Sequence, residues 1–132
     1  MAIRDLYRNS LVLPSLAPAA RVTGSFTGSA VDLRGYDAAV VAVSFGAYTD
    51  GTHTPSVQHS MDGATFTDAA ISDLDGSFTA VSSSAGANAV QSVGYIGTQR
   101  YVRVVMTVAG ATTGAVSAAT IVAGRPRSAP TH

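Results

Sequence analysis

The chain of 132 residues contains no cysteine, no tryptophan, no lysine and no glutamate. Without cysteine neither a disulfide framework nor a thiolate metal site is possible, so stability must come from an ordinary apolar core. A chain of this length buries roughly two thirds of the surface its unfolded form exposes, which is enough. Without lysine or glutamate, charge rests on arginine and aspartate alone, and the formal net charge is zero. Lysine and glutamate are good helix formers; their absence beside abundant glycine, serine, threonine and valine favours strands. A balanced, sparse charge offers no basic footprint for nucleic acid. It also means weak self-repulsion, which favours association with other protein near neutral pH. No run approaches the length of a membrane-spanning helix. The apolar stretch LVLPSLAPAA ends in small residues as a secretory signal does, but it is short and interrupted by Pro14 and Pro18, and is not read as one.

What is present is a series of short β-type runs. The longest, Ala38 to Tyr48, sets Val41, Val43 and Phe45 on one side of a pleat and Val40, Ala42 and Ser44 on the other. Apolar on both sides, it is expected at the centre of a sheet. Thr49-Asp50-Gly51 then turns the chain, Ser56 to Ser60 forms a second strand, Asp62-Gly63 turns again, and Thr65-Phe66-Thr67 forms a third, giving a β meander. Arg100 to Val108 alternates most cleanly: Val102, Val104, Met106 and Val108 point one way, Tyr101, Arg103, Val105 and Thr107 the other, as in a half-buried strand. Further strands are expected at Arg21 to Phe26, Gly28 to Leu33, Ala89 to Ile96 and Gly114 to Ala123. The last is mostly Ala, Ser, Val and Thr, which admits close approach of another sheet or another chain. Asp73-Leu74-Asp75-Gly76 reads as a turn and Ser82 to Asn88 as an exposed loop.

No amphipathic helix of crossover length interrupts this pattern, so the expected fold is all-β: an antiparallel β-sandwich, jelly-roll-like, or a small barrel of about seven to nine strands. Residues 1–20 read as an extended N-terminal arm, 21–124 as the sandwich and 125–132 as a C-terminal tail. The arm opens on a possible helical turn with Ile3, Leu6 and Tyr7 on one side; Pro14 and Pro18 then oppose both a helix and central-strand pairing. Its Leu11, Leu13 and Leu16 need cover, either from the domain's own sheet or from a neighbouring subunit. Sandwiches leave strand edges, and with no lysine to blunt them some other protection is required, assembly being one.

Reactive chemistry is poorly supplied. His53 is placed in a turn, His59 in a strand and His132 at the chain end, which does not make the converging set a zinc site wants. Asp73-Leu74-Asp75-Gly76 opens like a calcium loop, but that loop closes with a glutamate and the chain has none. There is no Gly-x-Ser-x-Gly elbow and no glycine-rich phosphate loop, so no enzyme activity and no cofactor are expected. The stretch VQHSMDGATFTD resembles a strand-turn-strand hairpin of β-sandwich sugar-binding modules, with Tyr36, Tyr48, Tyr95 and Tyr101 as possible platforms in place of tryptophan.

A wider resemblance covers roughly two thirds of the chain. VDLRGYDAAVVAVSFGAYTDGTHTP (31–55), VQHSMDGATFTDA (57–69), VGYIGTQRYVRVVMTVAGATTG (93–114) and RPRSAP (125–130) together resemble small accessory head proteins of tailed bacteriophages and related prophages. The resemblance implies a capsid decoration, or cement, protein: a β-sandwich on the outer surface of the virion head, often trimeric, with the major capsid protein and itself as partners. No nucleic acid or membrane partner is implied. Other virion roles, in the tail or at the head-tail joint, remain open alternatives. On this reading Leu11, Leu13 and Leu16 of the arm and Arg125 and Arg127 of the tail are the candidate partner-binding residues, and removing residues 1–20 should weaken assembly while leaving the sandwich folded.

Overall fold

Ten strands follow one another among the described residues, 9–126, of the computed structural model. They are β1 (Ser10–Arg21), β2 (Gly24–Thr27), β3 (Val31–Asp32), β4 (Tyr36–Tyr48), β5 (Thr52–Ser60), β6 (Thr67–Asp68), β7 (Leu74–Asp75), β8 (Ala89–Tyr95), β9 (Tyr101–Ala109) and β10 (Ala115–Pro126). All pairings are antiparallel, and the strands form two sheets. The first runs β1-β10-β4-β8-β7; the second runs β2-β9-β5-β6, with β3 also on β9. The two sheets pack face to face as a sandwich, not a closed barrel. The helical turn expected at Ile3, Leu6 and Tyr7 lies outside the described residues, as does Arg127.

Alternation decides which side chains meet between the sheets. From the first sheet come Val41, Val43 and Phe45 of β4, Ala119, Ile121 and Ala123 of β10, and Val93 and Tyr95 of β8. They face Val102, Val104, Met106 and Val108 of β9 and Val57 of β5. Two expectations therefore hold: β4 lies in the middle of its sheet, and β9 buries the side predicted for it.

The meander does not form. β4 pairs with β10 and β8, whereas β5 pairs with β9 and β6, so Thr49-Asp50-Gly51 carries the chain across from one sheet to the other. The cause is visible in Asp50. Its carboxylate accepts hydrogen bonds from the backbone N–H of Thr112 (3.1 Å), Thr113 (3.2 Å) and Gly114 (2.6 Å), in the loop where β9 crosses back to β10. Thr49 N–H donates in turn to the Gly114 carbonyl at 2.9 Å. Two crossings are thus tied to each other, and a hairpin would forgo those bonds. Gly114, at φ +81°, lies where a Cβ would collide with the Arg21 carbonyl.

Three smaller expectations also change. Asp62-Gly63 sits in a wider loop, Met61–Phe66, in which Asp62 Oδ1 accepts from the N–H of Ala64 and Thr65. Leu74-Asp75 is not a turn but strand β7, paired with Tyr95 and Gly94 of β8. His53 belongs to β5, not to a turn.

Residues 10–21, read as part of an arm, are instead the edge strand of the first sheet, paired along β10 from Ser10–Gly124 to Arg21–Ala115. The prolines are compatible because β1 is an edge and because its register shifts between Pro14 and Leu16 and again between Leu16 and Ala19. At the first shift Ser15 turns away from β10 to the second sheet. Its hydroxyl donates to the Ser29 carbonyl (2.9 Å) and accepts from Val104 N–H of β9 (3.0 Å). At the second, the buried Arg21 guanidinium donates to the carbonyls of Ala17 (2.8 Å), Ala19 (3.0 Å) and Ser117 (3.1 Å). Burial lowers the pKa of this arginine, and the Phe26 ring lies 5.5 Å from it.

Because β1 supplies Leu16, Ser15 and the cover for the β10 edge, deletion of residues 1–20 removes part of the sandwich rather than an appendage. Leu16→Ala should lower folding stability by about 2–4 kcal/mol, read from chemical denaturation. Asp50 has its pKa lowered by the N–H groups of Gly114, Thr112 and Thr113. A depressed carboxylate pKa stabilises the fold above the unfolded-state value of about 4 and loses that contribution as pH falls below it. Asp50→Asn should therefore lower the melting temperature at pH 7, and the gap between wild type and variant should narrow toward pH 3.

Candidate interaction surfaces

The five residues singled out for partner binding do not form one surface. Leu16 is 5% exposed and part of the core, while Leu11 and Leu13, opposite Ala123 and Ile121, are partly buried against it. The leucines are therefore covered by the domain's own sheets. Arg125 is exposed near the end of β10, between the pairs Gly124–Ala38 and Pro126–Tyr36, with φ +53°.

A cleft of about 430 Å³ opens at the same end of the sandwich, between the segment Leu33–Ala39 and the β8–β9 connection. On its rim Arg100 grips Asp32 with two hydrogen bonds, Nε to Oδ1 at 2.9 Å and Nη2 to Oδ2 at 2.8 Å. The Arg100 bond is the main cause that holds the Asp32 carboxyl below its usual range, and it raises the Arg100 pKa in return. Both groups are exposed, so the pair orients the rim more than it stabilises the fold. The cleft wall includes Tyr95, whose hydroxyl accepts from Gln99 N–H (3.1 Å) and shares a 2.9 Å hydrogen bond with His59 Nδ1. Burial pushes the Tyr95 hydroxyl up in pKa.

Sequence reasoning missed that both described histidines are inward-facing residues of β5. His53 is fully buried, edge-on to the rings of Phe45 and Tyr48, with Nε2 donating to the Asp50 carbonyl at 3.0 Å. The signal was there: 53, 55, 57 and 59 have one parity, and Val57 marks that parity as the core side.

The hairpin that resembles sugar-binding modules is engaged internally. Ser60 donates to Asp62 and accepts from Asp62 N–H and Gly63 N–H. The Thr65 and Ala64 N–H groups and the Ser60 hydroxyl pull the Asp62 pKa down to about 2. The Phe66 ring is covered by the Arg103 guanidinium, 3.8 Å from its centroid, and Arg103 also donates to Gln58. Of the four tyrosines, Tyr95 is buried, Tyr48 donates to the Gly51 carbonyl, and the Tyr101 ring is stacked by Arg100.

The outer faces of the two sheets differ. On the second sheet Arg103, Gln58 and Asp68 stand with Thr54, Ser56, Thr107, Tyr101 and Val105. On the first, the outward positions of β1, β10, β4 and β8 are apolar or small: Val12, Pro14, Val116, Ala118, Val122, Val40, Ala42, Val90 and Gly94, with Thr120, Ser44 and Ser92 among them.

No protein-family model matches the chain, and neither does any curated protein sequence. Among solved structures, the fold is similar to that of the SPBc2 prophage-derived protein YomS. The match covers 88% of this chain and 94% of that one, with 16% sequence identity and a TM-score of 0.44.

Tyr95→Phe should leave the Gln99 N–H and the His59 ring without their shared partner. A stability loss of about 1–3 kcal/mol by denaturant titration is expected, with the β8–β9 connection showing the largest rise in amide hydrogen exchange.

Proposed function

We propose that this protein is a capsid decoration protein: it binds the outer surface of an assembled phage head and ties neighbouring major capsid subunits together. The observation that carries the reading is how the polar side chains are used. His53 and His59 pack in the core, Asp50 and Asp62 hold loops, and Ser15 and Arg21 join β1 to its surroundings. What is left exposed is the outer faces of the sheets and a charged end of the sandwich, which suits a protein that acts through contact area. A standard-size interface buries about 800 Å² per partner, and binding repeated around a lattice adds avidity.

The stretches at 31–55, 57–69, 93–114 and 125–130 that resemble accessory head proteins support the same reading. On it, the protein resides on the virion surface after assembly and in the host cytoplasm before it. The end of the sandwich that carries Arg125, Arg34, Asp37 and the Arg100–Asp32 pair is the side assigned to the shell. Arginine there suits recognition of shell carboxylates, because its guanidinium binds them two bonds at a time. Sugar binding is less well supported, since the hairpin that resembles a sugar site has its aromatic ring stacked under Arg103.

The test is to mix the purified protein with empty shells that lack it, pellet the shells, and measure bound copies and heat resistance. Saturable binding at a fixed ratio, with the shell melting several degrees higher, is expected; Arg100→Ala combined with Arg125→Ala should weaken it at least tenfold. Absence of binding, or recovery of the protein only in tails, would remove head decoration.

A further inference from the structure

Four strands of the first sheet line up outward-facing residues in continuous rows. Val12 of β1, Val122 of β10, Val40 of β4 and Gly94 of β8 are successive partners across the sheet. The next row is Pro14, Thr120, Ala42 and Ser92. Ala118, Ser44 and Val90 make a third, and Ala20 with Val116 begins a fourth. No residue in these rows is charged. Asp75, opposite Gly94 on β7, stands at one rim, and Arg125 at one end.

Valine is out of place at such exposure. Val12, Val40, Val90 and Val116 are 60%, 45%, 67% and 39% exposed, and they lie on one face. Scattered apolar residues on a surface are ordinary; a contiguous patch of this kind marks an interface. Its composition narrows the occupant. Between the valines stand Ala42, Ala118, Ser44, Ser92 and Gly94, small side chains with no charge to set a partner's orientation. An uncharged sheet face of small and β-branched residues is complementary to another like it, as the inner faces of sandwiches are.

We propose that the outer face of the β1-β10-β4-β8 sheet docks on the same face of a second copy of this chain, around a two-fold axis. The size suffices. Four strands about 4.8 Å apart and roughly nine residues of β4 span about 19 by 30 Å, or some 550 Å² per copy. The pair would cover about 1,100 Å², short of the standard size of about 1,600 Å² but just above the lower limit of about 1,000 Å², as fits a dimer that forms at high concentration. The zero net charge of the chain removes long-range repulsion between copies. A contact of a face with itself closes at two copies, not the three that head decoration by resemblance implies. The inference stands on the face alone and does not depend on head decoration.

Sedimentation velocity of the full chain over a hundredfold concentration range tests it. The wild type is expected to run as a dimer at high concentration. Val40→Asp and, independently, Ser92→Arg should each weaken the dimer at least tenfold, with the far-ultraviolet circular dichroism unchanged. Ser92 is exposed, so its replacement keeps the test valid even where Val40→Asp costs stability. Thr107→Asp, outward on the other sheet, should leave the dimer intact. A monomer at every concentration, a trimer, or a dimer that survives Ser92→Arg would overturn the proposal.

Discussion

The hydroxyl of Ser15 is the contact on which the joining of the two sheets most depends. An edge strand ordinarily belongs to one sheet. Here β1 lies along β10 in the first, yet at its register shift Ser15 reaches β9 in the second, taking the Val104 N–H that the gap between β2 and β3 leaves unpaired. The Ser15 carbonyl accepts from Ser29 N–H at 2.7 Å, and Gly28 N–H donates to the Val104 carbonyl at 2.8 Å. Gly28 must be glycine for this to close, because a Cβ there would collide with the Ser15 hydroxyl and stand 2.8 Å from the Val104 carbonyl oxygen. The break in one strand and the bulge in another are therefore one feature. It leaves no backbone group of Val104 unpaired at a place where both sheets are interrupted.

The same arrangement answers the question posed by a sandwich without lysine. The edges are protected by brevity and interruption. β6 and β7 are two residues each, β2 and β3 are separated pieces, and β1 carries Pro14, Pro18 and two register shifts. Each limits the length of ladder a foreign strand can extend. Edge-to-edge association is thus discouraged by the backbone, while the broad outer face of the first sheet is left free of charge.

Sequence reasoning succeeded where a single strand settles its own orientation. The alternation of β9 and the apolar run of β4 each contain their answer within about ten residues, since burial of one face fixes the parity of all. It failed where pairing depends on distant residues. Asp50-Gly51 is a sound turn pair, but whether it closes a hairpin or crosses between sheets is decided by three N–H groups more than sixty residues away. Leu11, Leu13 and Leu16 were legible as apolar and in need of cover; that the cover is β10 and the core was not, because the serine that bends β1 into place has no local signature. The aspartates were legible only as turn formers, and the backbone groups they bind were not.

Those same aspartates show what holds the loops. Backbone N–H groups keep the Asp62 and Asp50 carboxyls below the usual carboxylate range. Their chemistry is already committed to fixing loops, just as the Ser60 hydroxyl is committed to Asp62 and the Ser15 hydroxyl to Val104. Side chains fixed within the fold leave less to be ordered when any surface of it docks, which lowers the cost of association.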